Sequence, residues 1–292
     1  MTRRISIVGA GRVGTTLGKR LRQLGWRVGA VLTRSQRTAR AAVRAIGAGK
    51  PLAVIGPEIL EADVILLTTP DDAMPAAVDS LAKGGAEKWR GRVVLHTSGA
   101  LDRRVLDPLA RRGASTGSLH PMQTFSGRHL PKLDGVTFAV EGNARALRVA
   151  KQIARSLGGV PVVISGADKP AYHATAVLAA GSGFALIEAA VQMLEKIGFT
   201  RRRALQTLLP LTRQMLDNVE RIGPRAAWTG PLSRGDFAVV AKHVRALRKY
   251  PREFQESYAA MALLAARVLA KDPDATLRKL RRVLAESKGG NR

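Results

Sequence analysis

One stretch, Arg4–Gly25, limits what this chain can become. Arg4–Val8 is a short β-branched apolar run of the kind that forms a buried strand. Gly9, Gly11 and Gly14 follow as G-x-G-x-x-G. Arg12–Leu24 then sets Val13, Leu17, Leu21 and Leu24 at helical spacing, with Gly25 as the stop. Strand, glycine turn and helix in this order give each glycine a task. The first permits a tight turn, the second lets a pyrophosphate approach the backbone, and the third lets helix and strand close up. Free N–H groups at the helix start hold anions. Gly9, Ala10, Gly11, Arg12, Val13 and Gly14 are therefore expected to cradle a dinucleotide. The alternative is a glycine-rich turn in an α/β fold with no ligand.

Trp26–Leu32 reads as the second strand. An NAD site places an acid at its end for the ribose 2′-hydroxyl. Here the residues are Thr33, Arg34 and Ser35, then Arg37, and no carboxylate occurs between Gly25 and Pro57. Arg34, Arg37 and Ser35 suit a 2′-phosphate, so the expected cofactor is NADP, as NADPH, with Thr33, Arg34 and Ser35 beside it. The competing reading makes Ser35 the cap of a helix over Gln36–Ile46 and leaves the arginines on the surface.

Further strands are expected at Glu61–Thr69, Arg92–His96, Ser115–His120, Gly135–Val140 and Val160–Ile164. Helices are expected at Ala73–Leu81 and Ala144–Leu157, and a short one opens at Asp107-Pro108 and stops at Gly113, with Asp107 as its cap. Asp71 or Asp72 would cap the helix at Ala73. Alternating strands and helices imply a mostly parallel sheet, and ligands bind beyond the carboxyl ends of its strands. Gly9–Gly14, Thr68–Pro70, His96–Gly99 and His120–Met122 share that address, which adds Thr69 and Pro70 to the cofactor set.

After about Gly166 the pattern changes. Tyr172–Ile197 is apolar nearly all round, with Gly181 and Gly183 inside. Such a helix is expected to be buried, with another helix close to the glycines. Arg202–Gly223, Asp236–Leu247 and Arg252–Ala270 also carry helical spacing, and the residues after Lys271 run out into a basic tail, Lys288–Arg292. The expected organisation is a Rossmann-type mostly parallel α/β domain over residues 1–165 and an all-helical domain over 166–292 that binds substrate and dimerises. The apolar helix calls for a partner subunit, so a homodimer through the helical halves is expected.

Composition narrows the classes. There are no cysteines, so disulfides, thiolate chemistry and cysteine-held metal are out. The longest uncharged run, Ala174–Ile187, is short for a bilayer. No membrane association and a cytoplasmic location are expected. A net charge of +26 is spread along the chain and aromatics are 4%, so an arginine-rich solvated surface is expected rather than a nucleic-acid partner. That charge favours anionic ligands.

Three clusters could carry chemistry. His96 and His120 close strands, and Pro121 holds His120 extended. An imidazole beside a nicotinamide could take or give the alcohol proton, and Ser98 could bond substrate or ribose. Lys169 and His173 stand four apart at the start of the apolar helix, Lys169 just before it if Pro170 is its first residue, where the two domains would meet. Arg234, Asp236 and His243 form the third cluster, in which Arg234 could clamp a carboxylate. No H-E-x-x-H or H-x-H spacing exists, so no metal is expected.

Taken together these residues resemble one family, the Rossmann-like NADP oxidoreductases joined to a helical carboxyl-terminal domain of unknown function. Some of its members are alternative-type ketopantoate reductases. The resemblance rests on Gly9–Gly14, His96–Gly99, Ser118–Phe125, Ala167–Ala174, Thr229–Pro231, Arg234–Asp236 and His243. The family often has asparagine where this chain has Gly181. His120-Pro121-Met122 is also similar to the strand-end motif of prephenate and arogenate dehydrogenases, whose histidine contacts the substrate hydroxyl. The layout is similar to pyrroline-carboxylate reductases and ketopantoate reductases, whose helical domains often dimerise.

The resemblance implies an NADPH-dependent reductase of a small anionic keto acid, ketopantoate first among them. His120, Lys169, His173 and Ser98 would be catalytic, with His120 or Lys169 as the acid. His96, Arg234, Asp236 and His243 would hold substrate. The alternatives are a prephenate-type dehydrogenase and a non-catalytic NADP sensor or scaffold.

Overall fold

The computed structural model describes residues 3–84, 89–127 and 130–286. By compactness the chain divides into Met1–Ala179 and Ala180–Arg292. The first unit contains β1 (Arg4–Val8), α1 (Arg12–Gln23), β2 (Arg27–Leu32), α2 (Gln36–Ile46), β3 (Lys50–Leu52), β4 (Val64–Leu67), α3 (Met74–Gly84), β5 (Val93–His96), α4 (Asp107–Ala110), β6 (Ser115–Pro121), β7 (Thr137–Gly142), α5 (Ala144–Ser156), β8 (Val160–Val163) and α6 (Lys169–Ala176). The strands form one eight-stranded sheet in the order β3-β2-β1-β4-β5-β6-β7-β8. Neighbours run parallel except β6 and β7. This is the mostly parallel Rossmann-type sheet that the alternation of strands and helices implies.

Helices cover both faces, so a central strand such as β4, Val-Ile-Leu-Leu, is buried at every position. Val64 and Leu66 face Leu17 and Leu21 of α1 and Ile153 of α5, in one core. Ile65 and Leu67 face Met74, Val78 and Leu81 of α3, in another. The same alternation places Leu95 and Leu119 with α1 and α5, and Val94 with α3. His96, two residues after Val94, and Ser118 and His120, on either side of Leu119, therefore turn to the α3 face.

Several local expectations change. β3 was not legible because it is three residues long, after Gly47 and Gly49, both at positive φ. Asp107 does not cap α4. A 3-10 turn, Arg103–Leu106, runs straight into that helix, and Asp102 caps the turn by accepting from the Arg104 N–H at 2.9 Å. Lys169 is the first residue of α6 rather than the residue before it.

The second unit comprises α7 (Ser182–Lys196), α8 (Arg201–Ile222), α9 (Pro224–Ala227), α10 (Phe237–Leu247), α11 (Arg252–Leu269) and α12 (Pro273–Glu286). It is all helical. Val240, Ala266, Leu277 and Leu280 form its small core. α12 supplies two of these, so the segment after Lys271 is a packed helix and not only a tail; Lys288–Arg292 lie outside the described residues. Val177–Gly181, between α6 and α7, is π-helical.

The expectation of a buried apolar helix is not met within the chain. Among the residues of α7 only Val191 is buried, and a Cβ on Gly183 would touch nothing within 4 Å. By length and composition the helical stretch Gly166–Lys196 could cross a membrane; an 18-residue window of it has a mean hydropathy of 1.7 and is 6% buried. The uncharged run is short, but it lies inside this longer helical segment.

Candidate functional site

The glycine turn after β1 explains its own sequence. Gly9 has φ +84°, and a Cβ there would lie 2.7 Å from the Thr69 main-chain nitrogen. Thr68, at the end of β4, donates its hydroxyl to Gly9 O at 2.7 Å and ties the two strand ends together. A Cβ on Gly14 would meet the Thr68 hydroxyl and would stand 3.2 Å from Ile7 Cγ2, so this glycine lets α1 lie against the sheet. Gly11 differs, because the nearest atom to its Cβ position is Gly9 O at 3.9 Å. It faces open space, as a ligand-approach glycine must. It is also the cap of α1, has no side-chain bond to offer, and the first turn holds no acid. The N–H groups of Arg12, Val13 and Gly14 have no carbonyl partner among the described residues. Bare N–H groups at a helix start attract anions.

At the end of β2, Ser35 caps α2 by accepting from the Thr38 N–H at 3.2 Å. Thr33 donates to Ser35 O at 3.0 Å. Of the two readings of this segment, the structure shows the helix cap with surface arginines. Ser35 is a cap, while Arg34 and Arg37 are exposed and join no ion pair among the described residues. Thr69 follows β4 and donates its hydroxyl to Met74 Sδ at 3.3 Å, with Pro70 exposed beyond it.

Strand register brings the remaining groups into a row. Leu67 pairs with His96, His96 with Ser118, and Ser118 with Glu141. His96 is fully buried, and its Nδ1 accepts the Ser98 N–H at 3.2 Å. Burial above all, with the Lys169 charge, pushes its pKa down to about 3. The ring is therefore neutral, serves the turn over Thr97–Gly99, and lies beneath the surface a ligand would meet. Its Nε2 is buried without a hydrogen-bond partner.

Ser98 is the knot of that turn. Its hydroxyl donates to Asp71 Oδ2 at 2.8 Å and accepts the N–H groups of Ala100 and Leu101 at 3.1 and 2.9 Å. The Asp71 side chain is thus turned to Ser98 rather than back to the start of α3. Lys169 donates to Ser98 O at 2.9 Å and to Ser118 Oγ at 2.8 Å, and it is fully buried. Burial pushes its pKa down to about 8, against the opposing pull of Glu141, Asp102 and Asp71. An enclosed ammonium bonded to two fixed oxygens acts through what it holds. Glu141 is partly buried, and burial pushes its carboxyl up; it accepts the Arg103 N–H at 3.1 Å.

His120 stands at the outer end of the row. Its Nδ1 lies 3.2 Å from the Tyr172 hydroxyl. Its ring meets Tyr172 and His173 edge to face, at 5.5 and 5.6 Å between centroids. Burial, then the charges of His173 and Lys169, lowers its pKa to about 4. Gly99 sits against this cluster, where a Cβ would be 2.8 Å from His120 Nε2 and 2.5 Å from His173 Nδ1. Thus His120, Ser98, Lys169 and His173 come together, in one unit, at the ends of β5 and β6.

In the helical unit, Asp236 Oδ1 caps α10 by accepting the Val239 N–H at 3.2 Å. His243 Nδ1 lies 3.0 Å from the Tyr258 hydroxyl and the residue is exposed. Arg234 is exposed on the turn between Gly230 and Gly235 and its side chain has no partner among the described residues. The three do not bond to one another: Asp236 is used by its helix and His243 by Tyr258.

Four members of the site stand in stretches the sequence analysis names but were given no role in the site. Ser118 was findable, because it shares a strand face with His120 two residues on. Tyr172 stands beside His173 but received no task. Asp71 was assigned to a helix cap, the commoner use of such a residue. Gly99 lies in the His96–Gly99 stretch, but the need for glycine there comes from two side chains far along the chain.

Residues 2–121 match the Rossmann-like domain family, and residues 136–265 match a domain of unknown function, DUF2520. No curated protein compared with the chain matches it. Among solved structures the chain is similar to a candidate NADP oxidoreductase from Bacteroides fragilis, with 24% identity, TM-score 0.76, 89% of this chain and 96% of that one covered. It is similar to a reductive aminase from Aspergillus terreus in complex with NADPH and ethyl-5-oxohexanoate, with 19% identity, TM-score 0.70 and coverage of 95% and 99%. A third is 1-pyrroline-5-carboxylate reductase from Streptococcus pyogenes, with 13% identity, TM-score 0.58 and coverage of 98% of each chain. At these identities the likeness is one of fold.

Proposed function

We propose that this chain, a Rossmann-like domain joined to a DUF2520 domain, is an NADPH-dependent oxidoreductase that reduces the carbonyl of a small anionic keto acid, with ketopantoate the first substrate to try. One observation carries the reading. A glycine cradle and a polar cluster stand at the carboxyl ends of neighbouring strands: Gly9 after β1, Thr69 and Pro70 after β4, Ser98 after β5, and His120 closing β6. That edge of an open parallel sheet is where ligands bind. The similar structures named NADP oxidoreductase and NADPH-bound reductive aminase support the cofactor.

The residues fit the dinucleotide. Gly11 leaves the approach open, and the N–H groups of Arg12, Val13 and Gly14 take the pyrophosphate. Arg34 and Arg37, which join no ion pair among the described residues, take the 2′-phosphate. NADPH supplies the hydride when bound, and solvent supplies the proton that completes the alcohol. His120 presents a neutral ring to the reacting oxygen, with His173 beside it. Lys169 holds Ser98 and Ser118 in place and lends positive charge to an oxygen becoming negative. Arg234, with its free guanidinium, is assigned to the substrate carboxylate, and the net charge of +26 favours an anionic substrate. The functional division is a cofactor domain over 1–165 and a helical domain over 166–292. The protein works in the cytoplasm as a homodimer through its helical halves.

A second reading is a prephenate-type dehydrogenase, favoured by the neutral His120, which could take a hydroxyl proton. A non-catalytic NADP sensor would need only the glycine cradle and leaves the cluster around His120 without a task.

Calorimetry with NADPH and NADH, followed by NADPH oxidation over a panel of keto acids, tests the reading. NADPH binding and turnover of at least one acid are expected, with His120→Ala lowering turnover about a hundredfold or more. Failure to bind NADPH would end the proposal.

A further inference from the structure

Tyr172 and His120 meet through the phenol oxygen and Nδ1 at 3.2 Å, with their rings at 87°. Two arrangements of hydrogen fit that distance, and satisfaction of donors separates them. His120 Nδ1 is the sole acceptor for the Tyr172 hydroxyl among the described residues. With the ring hydrogen on Nδ1, the phenol O–H would be left without an acceptor among the described residues. An unmade hydrogen bond at a half-buried donor is costly. With the phenol donating to Nδ1, both groups of the contact are used and the one ring hydrogen is left for a ligand. A neutral imidazole then carries its one hydrogen on Nε2. That nitrogen lies over Gly99, where a Cβ would stand 2.8 Å away. Glycine at 99 leaves room there for that nitrogen and for His173 Nδ1, which would be 2.5 Å from the same Cβ.

We propose that Tyr172 is a positioning residue that locks His120 as an Nε2–H donor, so that the site accepts an uncharged carbonyl oxygen and turns away a protonated imine. The substrate half rests on the oxidoreductase reading above, and the tautomer half rests only on the contact between these two side chains. Burial, with the charges of His173 and Lys169, keeps the ring uncharged at neutral pH. A neutral imidazole polarises a carbonyl by donating to it. The carbonyl oxygen accepts that hydrogen and gains from the nearby Lys169 charge as its own negative charge grows. An iminium N–H would meet a second donor instead of an acceptor, and the Lys169 charge, which is felt at His120, would oppose its own. The site thus separates this chain from enzymes of the same fold that are named for imine or amine chemistry.

The test is a long-range proton–nitrogen correlation spectrum of the full chain with 15N-labelled histidine, at neutral pH and without ligand. The wild type should show His120 as the pure Nε2–H tautomer, and Tyr172→Phe, which removes only the hydroxyl, should show a mixture of tautomers. An Nδ1–H tautomer in the wild type, or an unchanged Nε2–H tautomer in Tyr172→Phe, overturns the positioning role. With NADPH, kcat/KM should be higher for 2-oxo acids than for the cyclic imine 1-pyrroline-2-carboxylate. An equal or higher value for the imine overturns the substrate class. On the oxo acid, Tyr172→Phe should lower kcat by about tenfold, less than the hundredfold typical of deleting a donor outright, with the KM for NADPH unchanged. Absence of NADPH binding would count against the oxidoreductase reading and would leave the tautomer result standing.

Discussion

Lys169 Nζ donates to the main-chain oxygen of Ser98 at 2.9 Å, across 71 positions of sequence. The same ammonium donates to Ser118 Oγ. The start of α6 is thereby pinned to the ends of β5 and β6, and its next turn, with Tyr172 and His173, is delivered to His120. A buried charge held this way is costly to form and costly to break, and it should leave a mark on stability.

That mark has a definite sign. The pKa of Lys169 is lowered in the fold to about 8 from its ordinary 10.5. Between these values the unfolded chain holds a proton that the folded chain has released, so stability rises with pH across this window. The rise amounts to at most about 3 kcal/mol. Lys169→Met, which keeps the stem, should abolish it. Urea unfolding midpoints measured at intervals from pH 7.5 to 10.5 check this, and the same slope in both proteins would refute it.

The acid side runs through the histidines. His96 and His120 are lowered to about 3 and about 4 from 6.5. Below pH 6.5 the unfolded chain takes up protons first, so stability falls as pH drops toward those values. His96→Asn keeps an acceptor for the Ser98 N–H and removes one of the two titrations. Denaturation at pH 7 and pH 4.5 should show a smaller acid loss in that variant than in the wild type.

How much of this was legible depends on range. The strand, glycine turn and first helix could be read because each cue is local: alternate burial, helical spacing, and Gly25 at the stop. Ser35 as the cap of α2 is local too. The end of β6 was readable as an address because Pro121 restricts His120. What could not be read came from pairing across the fold. Asp71 looks like a cap until register puts Ser98 beside it. Lys169 reads as a candidate acid at a helix start until Ser98 O and Ser118 Oγ are seen to hold its ammonium. α12 was lost because its buried residues, Leu277 and Leu280, sit among many basic ones. The apolar helix was read by composition as buried, whereas α7 leaves Phe184 68% exposed in the single chain.

Gly99→Ala isolates the polar cluster from the cofactor cradle. The added Cβ would crowd His173 Nδ1 and His120 Nε2 together, so both rings must move. NADPH affinity should stay within about twofold, while turnover falls by about a hundredfold, the scale for losing a positioned donor. Stopped-flow turnover beside calorimetric titration of the same protein decides it. Retained turnover would place the chemistry elsewhere.

Gly11→Ala makes the reciprocal cut. Space at Gly11 is open and its φ is −75°, so the folded chain tolerates alanine, with a stability change within about 0.5 kcal/mol. The methyl group then stands where a pyrophosphate comes close, and NADPH affinity should fall at least about tenfold, equal to about 1.4 kcal/mol. Arg34→Ala should instead weaken NADPH more than NADH. An unchanged ratio of the two affinities would remove Arg34 from the 2′-phosphate.

The exposed apolar face of the helical unit gives the last prediction. Phe184 and Ile197 on and just after α7 are 68% and 67% exposed, and Leu211 and Leu216 on α8 are 69% and 57% exposed. Monomers rarely leave so many large apolar groups in water. A bilayer or a second copy could cover them. A bilayer is disfavoured by the charges on the same helices: Arg201 of α8 binds Glu188 of α7 through two hydrogen bonds, at 3.0 and 2.7 Å, and Glu195 lies 3.6 Å from it. Burying such a group in hydrocarbon is costly. A second copy can bury the apolar groups and leave this pair at the rim, and a two-fold axis lets one face serve both partners. Light scattering at micromolar concentration should give twice the chain mass. Phe184→Ser combined with Leu211→Ser should shift the protein toward monomer without loss of the sheet domain's NADPH binding. A monomeric wild type, or a wild type that sediments with phosphatidylcholine vesicles, would reject the dimer.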